Sequence, residues 1–70
     1  IKYEPKYKYK INDKVEFVIH LVCSDVFYTG TIIGYNHEGN YIIKPDDEPD
    51  DDILHEEEIV RVDDIFYKLN

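Results

Sequence analysis

The side chains best equipped for chemistry in this 70-residue chain are carboxylates. Six of them crowd around Pro49: Asp46, Asp47, Glu48, Asp50, Asp51 and Asp52. Hard oxygens at this density suit a divalent cation, a basic peptide, or plain water. A calcium loop needs a glycine at its sharp turn and ligands at spaced positions, and this run has neither. Like charges keep such a loop apart, and Pro49 denies it a strand ladder. Docking of a basic peptide is the strongest functional reading of the run. His20, Cys23, His37 and His55 are residue types that zinc takes, yet their spacing does not reproduce paired ligands. The same residues nominally offer a nucleophile and a base, but no Gly-rich elbow or convergent acid accompanies them. The expectation is a protein with no catalytic residues, no metal and no cofactor.

The charges that flank these groups are unevenly placed. The net charge is −8. Residues 1–14 carry five lysines against Glu4 and Asp13, a net of +3. The remainder carries Lys44, Arg61 and Lys68 against fourteen carboxylates, a net of −11. An acidic body repels phosphates and attracts Lys- and Arg-rich partners. A basic peptide or basic protein surface is therefore the expected partner. Nucleic acid is not, except through the Lys-rich arm, where alternating Lys and Tyr suit phosphate contact with base stacking. A strand with its tyrosines turned inward accounts for that alternation better.

Seventy residues make one domain at most, with modest stability. Cys23 is alone, so no internal disulfide forms, and an intracellular setting is the simpler expectation. The longest stretch without a formal charge, residues 26–37, falls short of the roughly 18 apolar residues of a membrane span. No membrane partner is expected. A chain that opens on Ile1 reads as part of something longer or as trimmed at its start.

The positioning elements are strands. In residues 14–22, Val15, Phe17, Ile19 and Leu21 share one parity, which predicts a half-buried strand after a turn at Ile11, Asn12 and Asp13. Residues 26–36 are rich in β-branched and aromatic side chains and predict a second strand, with Gly30 and Gly34 at bends or bulges. Residues 36–40 predict a hairpin turn with Gly39 at positive φ. Residues 41–44 and 58–62 predict two further strands, and 63–69 a helical turn or a fifth strand. In the N-terminal run, Tyr7, Tyr9 and Ile11 are expected to lie against the body. Residues 1–10 thus form a basic arm or extra strand, and residues 11–70 an all-β body.

Three pieces of that body resemble a Tudor domain. Residues 9–15, Y-K-I-N-D-K-V, are similar to the family's opening "aromatic, x, hydrophobic, Gly, Asp, x, hydrophobic". Residues 25–32, D-V-F-Y-T-G-T-I, are similar to the segment where a Tyr precedes a small residue and a strand. Residues 39–43, G-N-Y-I-I, lead to Asp46 and Asp47, and E-E-I-V at 57–60 closes the pattern. The resemblance implies a small SH3-like, Tudor-like barrel of four to five strongly bent antiparallel strands. It also implies a non-enzymatic interaction module, part of a nuclear or nucleic-acid-associated protein. Many Tudor domains hold a methylated Lys or Arg in an aromatic cage beside an acidic group, through cation–ring attraction. Here Tyr28 stands at one cage wall, and Asp46 or Asp47 at the acidic position. Leu21 replaces the first-strand aromatic, Lys44 or Pro45 the third-strand one, and Phe27 and Tyr41 have the wrong parity to substitute. The implied ligand site is Tyr28, Asp46, Asp47, Asp50, Asp51 and Asp52. A different class remains open, a small acidic viral protein that presents phosphate-like carboxylates and blocks a nucleic-acid-binding partner.

Overall fold

The computed structural model describes residues 8–49 and 53–69, so Asp50, Asp51 and Asp52 lie outside the described residues. The described residues form strands β1 (Lys14–His20), β2 (Asp25–Tyr35), β3 (Tyr41–Pro45), β4 (Glu58–Val60) and β5 (Ile65–Lys68). A single 3-10 turn, Val62–Asp64, precedes β5, so the last segment is both a helical turn and a strand. All pairings are antiparallel, in one sheet of order β4-β3-β2-β1-β5. The sheet is open, because no ladder joins β4 to β5.

Open does not mean flat. Five flat strands spaced about 4.8 Å apart would put the outer two roughly 19 Å from each other. The outer two are consecutive in sequence, joined only by residues 61–64, three of them in the contracted 3-10 turn. Such a link spans about 13 Å, with a rise near 2 Å per 3-10 residue. The sheet must curl. Core composition agrees: Val15 and Phe17 from β1, Ile32 from β2, Tyr41 and Ile43 from β3, Val60 from β4 and Ile65 from β5 form one buried cluster. Residues from both edges meet only if the sheet wraps around its own inner face.

Register breaks supply the bends. Between Ile32 and Gly34 the β2–β3 pairing shifts by a residue, and between Glu16 and Phe17 the β1–β5 pairing shifts likewise. Extra residues at such bulges increase local twist. At Gly30 the neighbouring strand comes closest. A Cβ built there would lie 2.7 Å from both Ile43 Cγ2 and the Lys44 carbonyl oxygen. The turns follow side-chain chemistry. Asn36 Oδ1 accepts the N–H groups of Glu38 and Asn40, and Gly39 sits at φ 87° between them.

The N-terminal expectation needs correction at one residue. Tyr9 is buried as expected, its N–H donating to the Tyr41 hydroxyl at 3.0 Å. Ile11, however, is half exposed. The alternation ends because residues 10–13 make a turn, closed by the Asp13 N–H on the Lys10 carbonyl at 3.0 Å, with Ile11 and Asn12 (φ 77°) at its corner. Tyr7 lies outside the described residues.

Candidate functional site

The β3 end and the segment before β4 enclose a groove of about 440 Å³. Among the described residues its walls carry Asp46, Asp47, Glu48, Glu56 and Glu57, with Lys44 as the cation and Pro45 and Pro49 as apolar lining. Pro45 is buried where β3 ends and fixes the direction in which the acidic chain leaves. On the far side, buried Leu54 anchors the segment that carries Glu56 and Glu57. Glu58 then holds the entry to β4 by accepting the His55 N–H at 2.7 Å and its ring nitrogen at 2.9 Å.

Asp46 is the best-fixed carboxylate of the groove. Its N–H donates to the Thr29 carbonyl at 2.9 Å, and its Oδ2 accepts from the Thr29 hydroxyl at 3.0 Å and from Lys14 Nζ at 2.9 Å. Lys14 above all, with Thr29, holds its pKa below the ordinary 3.8. Asp47 is exposed beside it. Tyr28 lies elsewhere. Its ring is half buried and packs on Phe17, centroids 6.2 Å apart. Successive side chains on a strand point to opposite faces. Tyr28 therefore faces inward while Thr29, with Asp46 bonded to it, faces outward. The structure brings Asp46 and Asp47 together and sets the Tyr28 ring on the other face of β2. Of the remaining cage positions, Leu21 is half buried just past β1 and Lys44 is exposed. Glu56 and Glu57 went unassigned as site residues because Ile53, Leu54 and His55 interrupt the acidic run before them. Counting charge across 46–58 as one segment would have included them.

The zinc-type residues stay apart. Cys23 is exposed in the β1–β2 turn, His37 in the β2–β3 turn, and His55 pairs with Glu58. Among the described residues, no three His, Cys, Asp or Glu side chains gather as a metal site. Nor is any helix there long and apolar enough to cross a membrane.

His20 instead bridges two carboxylates. Nδ1 lies 2.8 Å from Asp25 Oδ1, and Nε2 lies 2.9 Å from Asp64 Oδ1. Both ring nitrogens donate only in the imidazolium form. Asp64, and after it Asp25, raises the His20 pKa above its ordinary 6.5. A raised folded-state pKa adds stability that is fully present below 6.5 and is lost as pH rises through the folded value. Asp13 acts in the opposite sense. The Lys10 N–H, bonded at 2.9 Å, chiefly lowers its pKa, so its contribution is lost only as pH falls below 3.8. From pH 6 to 9 the unfolding midpoint should therefore decline, and His20→Gln should flatten the decline. Denaturant melts across that window check it; equal slopes in both proteins would show that His20 is not the titrating group.

No protein-family model, curated protein or solved structure matches the chain.

Proposed function

We propose that this protein is a non-enzymatic interaction module, a small SH3-like barrel of the Tudor-related kind, whose acidic groove docks a basic peptide. The observation that carries the reading is the groove wall, where the described residues set five carboxylates against Lys44, with only Asp46 among them already paired, to Lys14. The curl of the sheet supports the barrel. So does Asn12, at φ 77° where the resembled motif has glycine, the residue that adopts positive φ without strain. An extended peptide lays its Lys or Arg side chains among exposed carboxylates, and exposed Pro49 gives its aliphatic stems apolar contact. Among the described residues, no aromatic side chain lines the groove. Methylation of a lysine, which favours aromatic cages, accordingly brings no large gain there.

The attraction is between exposed charges, so salt screens it and neutralising the walls slows encounter. In titrations of a Lys/Arg-rich peptide at low salt, the triple variant Asp47→Asn, Glu56→Gln, Glu57→Gln should bind about three- to tenfold more weakly. Raising salt to about 0.5 M should nearly abolish the difference. A methylated peptide bound more than about tenfold tighter than its unmethylated match would overturn the cage-free groove. Binding to a folded basic protein but to no peptide would favour the charge mimic.

A further inference from the structure

The outer face of the sheet, opposite the buried cluster, holds a feature that neither the core nor the groove uses. Phe27 of β2 and Phe66 of β5 stack across β1, ring centroids 5.3 Å apart and planes 29° from parallel. Beneath them lies Val18, the cross-strand partner of Phe27, only 5% exposed although its parity points it away from the core. Covering Val18 occupies one side of the rings. Phe27 remains 57% exposed and Phe66 46%, so ring surface still faces solvent.

Charge decides what can cover it. Along β1 and β2, the next outward pair on one side is Glu16 and Thr29, and on the other it is His20 and Asp25, tied to Asp64. A second copy of this chain is disfavoured by a net charge of −8. A purely apolar partner would bury the Glu16 carboxylate and strip water from the charged Asp25–His20 pair. A cation with a flat, weakly hydrated face meets both demands, because a guanidinium stacks on a ring while its N–H fork reaches a neighbouring carboxylate.

We propose that the Phe27–Phe66 pair is a second binding element that stacks an arginine side chain of the basic partner held in the groove. Continuity places the two together. Thr29, whose hydroxyl meets Asp46 of the groove wall, stands two residues from Phe27 on the same face, roughly 7 Å away at the rise of a strand. An extended peptide covers that distance with two residues. The inference rests on the groove reading and adds to it a preference for arginine over lysine.

The test uses matched Gly/Ser peptides carrying two cations, as arginine, lysine or neutral citrulline, titrated while the Phe ring resonances are followed. The arginine peptide should bind about three- to fivefold tighter than the lysine peptide and shift both rings. Citrulline should do neither. Replacing both rings, Phe27→Leu with Phe66→Leu, keeps Val18 covered and should erase the arginine preference, bringing the arginine and lysine peptides to equal affinity. Phe66→Tyr should retain it. Equal affinity for arginine and lysine, or a preference that survives the Leu pair, overturns the aromatic site and leaves the groove standing. The groove variant should weaken both charged peptides alike, so its failure to do so counts against the groove alone. Absence of any binding at low salt overturns both.

Discussion

Gly30→Val should lower the stability of this domain by at least about 2 kcal/mol, within the usual range for overpacking. Gly30 pairs with Val15 on one side and Pro45 on the other, at the point where β3 presses against β2. A Cβ there would sit 2.7 Å from Ile43 Cγ2, 2.7 Å from the Lys44 carbonyl oxygen and 3.0 Å from Pro45 Cα. Two of those three atoms are backbone, and Ile43 is β-branched with little χ1 freedom. Relief therefore requires strands to part. For a domain of this size each kcal/mol is worth about 4–8 °C, so the melting temperature should drop by roughly 8–16 °C. Gly34 is the internal control. A Cβ there would meet only Ile42 Cδ1, at 3.8 Å. Gly34→Ala should be neutral or stabilising by up to about 1 kcal/mol, through a less disordered unfolded chain. Thermal and urea melts of the two variants decide it; equal midpoints would mean that β3 does not crowd Gly30.

Tyr41→Phe should cost about 1–3 kcal/mol although the ring and its packing survive. Tyr41 is 1% exposed, and its hydroxyl accepts the N–H of Tyr9, itself buried. Removing the oxygen leaves that N–H without this acceptor, away from water. The three tyrosines share one arrangement: Tyr9 and Tyr35 each meet the Tyr41 ring edge-on, at 5.6 and 5.4 Å, and the Tyr35 hydroxyl donates to the Tyr9 carbonyl at 2.9 Å. Tyr35 is only half buried, so water can replace its bond. Tyr35→Phe should cost less, no more than about 1 kcal/mol. Hydrogen exchange offers a second readout, because the Tyr9 amide should lose protection in Tyr41→Phe before the amides of β1 do. A Tyr9 amide equally protected in both proteins would contradict the assigned bond.

The strands were legible because their alternation is a property of the chain itself. Val15 and Phe17 are both fully buried in β1, and Gly39 takes the positive φ that its turn requires. Strand ends moved by one or two residues, as at His20, where Leu21 leaves the ladder to donate its N–H to Ser24. What alternation could not show is how elements far apart in sequence face one another. Val18 has the parity of a solvent-facing residue, and only a ring from β5 meeting one from β2 over it makes it buried. Tyr28 and Asp46 looked like neighbours by analogy, yet the half-turn between Tyr28 and Thr29 sets them on opposite sides. Glu56 and Glu57 enter the groove where buried Leu54 anchors their segment near β3; their charge was legible in the sequence, their return to β3 was not.

Residues 58–68 finish the sheet on both flanks, since β4 pairs with β3 and β5 with β1. A three-stranded β1–β2–β3 meander without them would offer two raw edges to other chains, the template from which aggregation grows. One short segment closes both at once. The strands it supplies are themselves poor templates: three residues in β4, and four in β5 with a register break against Glu16 and Phe17. The four-residue corner at 61–64 thus makes protection against self-association an all-or-none property, gained or lost with a single stretch of eleven residues.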